Sequence, residues 1–276
     1  MNVSNTASPA SDALSARILS LSAGLLTAVV WVSSILFGVY ILAFYGGALQ
    51  AGQPEAWNET LPRLFERETP AASIGIGAHF AAGGVLLVLG PVQLLAPVRR
   101  LAPSVHRWMG RVYALCALTA GLGGLTFIAI RGTVGGPAMS IGFALYGALM
   151  ALSAVQTARF AMARDLERHR AWAIRLFALA IGSWLYRMEY GFWAIVAGGV
   201  GHTEDFQGWF DVIMDFFFYI PNLIVAEAFI RAVRPRAGSS TRWLASAALI
   251  TAAGYLALAT WFFSLHIWAP GILRFT

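Results

Sequence analysis

Phe80-Ala81-x-x-Gly84-x-Leu86-x-x-Leu89-x-x-Val92-Gln93 is the stretch that decides the reading of this chain. It recurs 63 positions later as Phe143-Ala144-x-x-Gly147-x-Leu149-x-x-Leu152-x-x-Val155-Gln156. Thirteen residues after each Gln stands His-Arg, at His106-Arg107 and His169-Arg170. With one residue inserted the match continues: Trp108-x-x-Arg111-x-Tyr113-Ala114-Leu115 answers Trp172-x-x-Arg175-x-Phe177-Ala178-Leu179. A duplicated helical hairpin accounts for this pattern. It places both His-Arg pairs at one depth, around a pseudo-twofold axis.

The surrounding composition says what kind of helices these are. The chain has 276 residues, 58% hydrophobic and 12% charged, with a mean hydropathy of +0.68. A soluble domain averages roughly 25% charged. The apolar residues lie in runs long enough to cross a bilayer, which takes about 20 residues each. The expectation is a polytopic membrane protein forming one domain over residues 1–276, with the duplicated core at about 72–200. The net charge of +6 comes from arginine alone, as the chain has no lysine. In such a protein a basic balance is first a topology signal, so no nucleic-acid partner is expected. Cys116 is the sole cysteine, which rules out an intrachain disulfide and suits core packing. The first apolar run is too long for a signal peptide and lacks a charged region before it. It reads as a retained first helix.

Seven spans are expected, at about 17–44, 72–95, 108–130, 139–161, 171–200, 210–230 and 243–267. Arginines collect in the even-numbered loops: Arg99, Arg100 and Arg107; then Arg159, Arg164, Arg168 and Arg170; then Arg231, Arg234, Arg236 and Arg242. The positive-inside rule makes those loops cytoplasmic, the N-terminus inside and the C-terminus outside. The fold class is therefore an all-α protein of the inner (cytoplasmic) membrane. Its core is two parallel hairpins, spans two–three and four–five, related by an axis along the membrane normal. The first outer loop, with Pro54, Pro62 and Pro70, is expected to carry a short amphipathic segment on the outer surface. Trp193, Trp209, Trp243 and Trp268 lie near span ends, as an interfacial belt requires.

Two groups of polar residues are candidate sites. The inner group is Gln93, His106, Arg107 and Arg111 with counterparts Gln156, His169, Arg170 and Arg175. The insertion between His-Arg and Trp suggests that each His-Arg pair lies in the turn entering its helix, with Ser104 a candidate cap. Arginines there serve as topology determinants and lipid-phosphate contacts, a role that leaves the histidines unexplained because His adds little charge at pH 7. Two imidazoles on facing helices can instead ligate a haem b iron, with arginines on its propionates. A quinone headgroup, another anionic ligand or a partner protein are further readings of the same residues.

The outer group is His79, whose repeat counterpart is Gly142, with Arg187 and Glu189 in span five and Asp215 and Asn222 in span six. Ionisable residues inside a membrane are costly and by default point to function. Tyr186, Glu189, Tyr190 and Trp193 share one helical face; Asp211, Asp215 and Asn222 share another. His79, Glu189 and Asp215 could together form a proton relay, a metal site or a ligand pocket, with Arg187 as counter-ion. The plainer reading is an Arg187–Asp215 pair that holds two helices together. His266 reads as a second partner for His79 or as an interfacial cap, and His202 as a solvated loop residue. Pro221-Asn222 is expected to interrupt span six, since proline has no N–H. No nucleophile elbow, P-loop, dinucleotide fingerprint, HExxH or CxxC motif is present.

Taken together, His79, Gly-Pro-x-Gln at 90–93, His-Arg-Trp-x-Gly-Arg-x-Tyr at 106–113, His-Arg-x-Trp at 169–172 and Pro-Asn-Leu-x-x-Ala-Glu at 221–227 resemble DUF2306, a bacterial family of predicted membrane proteins. The resemblance covers about residues 75–227. It implies a multi-span integral membrane protein and no particular activity. The histidine placement is also loosely similar to transmembrane two-haem b-type cytochromes, which set paired histidines deeper and on two levels. The leading expectation is a haem- or quinone-linked membrane redox protein. In it His106 and His169 are inner ligands or quinone contacts, and His79 is the outer anchor. A small-solute or proton-coupled transporter and a non-catalytic scaffold subunit are the alternatives.

Overall fold

The computed structural model describes residues 9–234 and 238–274; Arg236 of the sixth loop lies outside the described residues. Those residues form helices joined by turns and by one long loop at 51–69, with no strand among them. The main helices are α1 (Pro9–Ile41), α2 (Pro70–Leu94), α3 (Pro103–Arg131), α4 (Gly136–Met162), α5 (Leu166–Ala180), α6 (Gly182–Ala197), α7 (Trp209–Phe217), α8 (Ile220–Ala232) and α9 (Ser239–Phe263). Proline opens several of them, at Pro70, Pro103 and Pro221. In the first turn its missing N–H costs nothing and its fixed φ suits the helix.

Six helical segments are long and apolar enough to cross a membrane: Asp12–Gln50, Pro70–Leu94, Pro103–Arg131, Gly136–Met162, Trp209–Ala232 and Ser239–Leu273. Their outward faces carry apolar side chains such as Leu21, Leu122, Ile224 and Leu244, each more than half exposed. That arrangement suits a lipid surround. The fifth expected span, 171–200, is instead two helices, α5 and α6, meeting at Ile181. The segment is not among the six, although the break is the single residue Ile181, itself still helical at φ −80° and ψ −11°. Gly182 sits at the junction, where an added Cβ would come within 3.2 Å of the Tyr146 ring and 3.4 Å of Phe218. The sixth span breaks as its sequence suggests, with α7 ending at Phe217 and α8 restarting around Pro221.

Consecutive helices α2, α3, α4 and α5 pack side by side, and α5 returns to α2 to close a four-helix group. Helix α1 lies on α2 and on α9, α8 fills the gap between α9 and α5, and α7 lies on α4. Bare backbone brings the central helices together. A Cβ on Gly123 would sit 2.5 Å from the Gly75 carbonyl, and one on Gly121 3.0 Å from the Gly147 carbonyl. Small residues at such crossings let helices approach until dispersion forces and weak hydrogen bonds hold them in an apolar solvent.

Three local expectations change. Helix α3 starts at Pro103 with Ala102 as its unassisted cap, so Ser104 does not cap it, and both His-Arg pairs lie inside helices rather than in an entering turn. The long loop is not laid on the surface: Trp57 and Leu64 are buried, and the Trp57 indole donates to the Tyr45 carbonyl at 3.1 Å. Trp268 is no belt residue either. It is buried against Phe37 and Phe263, while Trp209 and Trp243 remain exposed.

Candidate functional site

A cavity of about 170 Å³ lies among α1, α2, α3, α4 and α6, toward the end of the bundle that carries the long loop. Phe37, Leu87, Phe127, Met139 and Met150 make much of its wall apolar. His79 from α2 and Arg187 from α6 face it inside the bundle, and Arg131 and Arg63 stand at its mouth.

The His79 Nδ1 lies 2.8 Å from the Ala120 carbonyl. A carbonyl can only accept, so Nδ1 carries the proton, and in the neutral ring Nε2 is left as an acceptor. Gly124 makes room for the ring: a Cβ there would stand 3.4 Å from Nδ1. Arg187 is held by aromatic faces. Its guanidinium carbon lies 5.3 Å from the Phe80 ring centroid and 5.7 Å from those of Phe37 and Tyr45. Among the described residues no carboxylate lies within ion-pair distance of it. Cation–π contacts of this kind contribute roughly 0.5–2 kcal/mol each and do not neutralise the charge.

The mouth carries a latch built on Arg131, a residue outside the motifs quoted above. Arg131, with a side chain only 2% exposed, donates to the Thr69 carbonyl at 2.9 Å, the Ser73 hydroxyl at 2.9 Å and the Arg63 carbonyl at 2.8 Å, and pairs with Glu66 at 3.3 Å. It thereby ties the loop to the end of α3. On the loop itself, the hydrogen bond from Arg63 holds the Glu66 carboxyl below the ordinary glutamate range. The Glu55 carboxyl is lowered by its own backbone N–H and then by Arg67.

The other members of the outer group do not join His79 and Arg187. Glu189 lies two residues beyond Arg187, almost on the opposite face, and its titratable neighbour is Tyr255 on α9. Asp215 packs on the bare backbone of Gly142, and neither of its oxygens has a hydrogen-bond partner. The expected Arg187–Asp215 pair is not formed. Asn222 donates to the Phe218 carbonyl at 2.8 Å, spanning the break between α7 and α8. No group of three or more His, Cys, Asp or Glu able to hold a metal occurs among the described residues. His266 bonds the Phe262 carbonyl of its own helix, on an exposed face. His202 is not simply solvated: its Nδ1 lies 2.7 Å from the buried Asp211, which also accepts from the Tyr190 hydroxyl at 2.7 Å.

At the arginine-rich end the two motif copies share one local arrangement. Arg111 lies 5.0 Å from the Trp108 ring and Arg175 5.0 Å from that of Trp172. The histidines differ. His169 Nδ1 bonds the Thr157 carbonyl at 3.0 Å, whereas His106 Nδ1 is buried without a partner. The extra residue between His169 and Trp172 turns the second imidazole by about 100° relative to its Trp. The basic side chains that act on His106 are Arg99 first, then His169 and Arg107. Arg175 is engaged by Glu227 at 2.7 Å, a pair that the sequence reading missed although Glu227 closes one of its motifs. Gln93 Nε2 and Gln156 Oε1 are buried and unpartnered.

The model of the predicted membrane protein family DUF2306 matches residues 76–230, more than half of the chain. The chain belongs to that family. Within the match lie His79, both His-Arg pairs, Arg187 and Asp215, whereas α1, the long loop and α9 lie outside it. No curated protein and no solved structure matches the chain. The DUF2306 match therefore carries the membrane setting, and the chemistry has to be read from the side chains.

Proposed function

We propose that this DUF2306 protein binds the ring headgroup of a quinone in the cavity beside Arg187 and His79, as part of a membrane electron-transfer function. The carrying observation is the Arg187 guanidinium, which faces a cavity inside an apolar bundle with no carboxylate beside it. Placing an arginine at that depth costs about 2.5–3.5 kcal/mol on insertion scales. An electron-rich ligand atom would offset that cost. Size supports a single ring, since an apolar cavity of about 150 Å³ accommodates benzene. The polar pattern supports a redox pair. Arg187 only donates, which suits a carbonyl oxygen; Nε2 of neutral His79 accepts, which suits the hydroxyl of the reduced form. The arginine-rich end faces the cytoplasm in this reading, and the membrane is the inner one.

A haem at the other end is the second reading. His169 has its Nδ1 fixed by a carbonyl, as ligating imidazoles do, and His106 is its electrostatic neighbour. The fit is partial, because Arg175 is already paired with Glu227 and His106 lacks an orienting partner. If bound, the group would supply one-electron chemistry. A four-residue transport path draws less support, since Glu189 and Asp215 turn away from the cavity that His79 and Arg187 line.

The test is a titration of the detergent-purified protein with decylubiquinone, read by quenching of tryptophan fluorescence, with Trp57→Phe giving the share of the indole that packs on Tyr45 and Phe80 beside the cavity, one of ten in the chain. Saturable quenching is expected, with affinity at least about tenfold weaker in Arg187→Ala, since a hydrogen bond to a charged group contributes about 1.5–3 kcal/mol. Glu189→Gln should bind as the parent does. Equal binding by the parent and Arg187→Ala would sink the proposal. An absorption spectrum of the same sample, oxidised and dithionite-reduced, tests the haem reading through loss of any Soret band in His106→Ala or His169→Ala.

A further inference from the structure

At the opposite end of the bundle, three arginines from different helical segments open onto one groove of about 310 Å³. They are Arg170 near the start of α5, Arg234 just past α8 and Arg242 in the first turn of α9. The groove floor is apolar, with Leu19 of α1 and Ala232 of α8 buried and Phe229 beside them. One acid is near: Asp12 lies 3.8 Å from Arg242, which also donates to its backbone carbonyl at 3.3 Å. Among the described residues Arg170 and Arg234 have no carboxylate within ion-pair distance, and both are exposed. The groove thus sets two guanidinium groups without a carboxylate beside apolar side chains of α1 and α8, Ala16 and Phe229 among them.

Its level matters as much as its charge. Helix α8 ends at Ala232, α9 begins at Ser239 and α5 begins at Leu166, so the groove sits where spanning helices leave the hydrocarbon. That is the depth of lipid phosphates. Guanidinium groups bind phosphate oxygens in pairs, through a planar fork of donors. Basic pockets between helices at the cytoplasmic edge recognise anionic headgroups for this reason. A free phosphate would use the arginines and leave Ala16 of α1 and the half-buried Phe229 in water. A phospholipid would cover them with its acyl chain.

We propose that this groove binds one anionic phospholipid, its phosphate held by Arg170, Arg234 and Arg242 and its chain lying along α1 and α8. The site is distinct from the cavity of Arg187 and stands or falls without it. The experiment is native mass spectrometry of the delipidated full chain titrated with dioleoyl phosphatidylglycerol, dioleoyl phosphatidylcholine or inorganic phosphate. The variants are Arg170→Ala and Arg234→Ala, with Arg100→Ala as a matched loss of one exposed charge outside the groove. The expected result is preferential binding of phosphatidylglycerol, weakened about fivefold by each groove substitution and unchanged in Arg100→Ala. Equal binding of the two lipids would overturn the proposal. So would an equal loss in Arg100→Ala, which would mean diffuse attraction. Competition by inorganic phosphate at concentrations comparable with the lipid would assign the groove to free phosphate and overturn the lipid assignment.

Discussion

The Phe80 ring faces the Arg187 guanidinium at 5.3 Å, while Phe143, its counterpart in the second copy of the motif, packs on Tyr186 at 5.0 Å. The same position in the two copies thus addresses consecutive residues of α6. One ring lies against a cation and the other against a phenol. The asymmetry extends to the cavity, which both copies line: His79 and Arg187 face it, and the second copy has Gly142 in place of His79.

Substitutions in that cage should separate charge from shape. Arg187→Lys keeps the charge and loses the planar fork and its stacking, so quinone affinity should fall between the parent and Arg187→Ala. Phe80→Leu removes one cation–π contact of roughly 0.5–2 kcal/mol and should weaken binding severalfold with the fold intact. Fluorescence titration alongside circular dichroism reads both. Parent-like affinity in Phe80→Leu would mean that the cage does not position Arg187.

Arg131 is expected to be the costliest single residue at the loop end. Its nearly buried guanidinium satisfies carbonyls of Arg63, Leu64, Glu66 and Thr69. Arg131→Ala leaves those carbonyls without their donor and removes one of the two arginines on Glu66, which keeps Arg63, so a loss of about 1–3 kcal/mol is expected. Thermal unfolding should shift down, and trypsin should cut after Arg63 or Arg67 faster than in the parent. Unchanged proteolysis would show that the loop is held by Trp57 and Leu64 instead.

Hydropathy made the long helices legible, because an apolar run of spanning length has few alternatives. It did not mark the break within 171–200, which falls beside Gly182, where an added Cβ would meet Tyr146 and Phe218. His79 and Arg187 were legible as costly residues in a membrane. Their partners were not, since the rotation of α6 decides that Arg187 meets Phe80 rather than Asp215. The inserted residue before Trp172 was visible, but its effect on the imidazole required knowing that His169 lies inside a helix. Arg131 belonged to no motif, and nothing in sequence tells a capped carbonyl cluster from water.

Loop closure should depend on acid in a defined direction. Glu66 and Glu55 both sit below the ordinary glutamate value of 4.5 in the folded chain, through Arg63 and through backbone and Arg67 contacts respectively. A carboxylate with a lowered folded pKa contributes stability that is fully present above its unfolded value and is lost as pH falls through the folded one. Protection of the 58–69 loop from an acid-tolerant protease should therefore be flat above about pH 5 and decline below about pH 4. Glu66→Gln should start lower and show a shallower decline. A transition near pH 6–7 would point to a histidine instead.

Asp211 and Asp215, one turn apart on α7 and both fully buried, should respond oppositely to loss of charge. The Asp211 carboxylate accepts from His202, Tyr190 and the backbone N–H groups of Thr203 and Gly208. Asp211→Ala strands those donors and should cost about 3 kcal/mol, as removal of one partner from a buried network does. Asp215 has no partner on either oxygen. Asp215→Asn removes an ionisable group from a place that penalises its charge, so the midpoint of thermal unfolding should hold or rise. Differential scanning calorimetry of both variants in one detergent decides the matter. A loss in Asp215→Asn as large as in Asp211→Ala would mean that Asp215 works in its charged form, with a cation held beside it, and would return it to the functional residues.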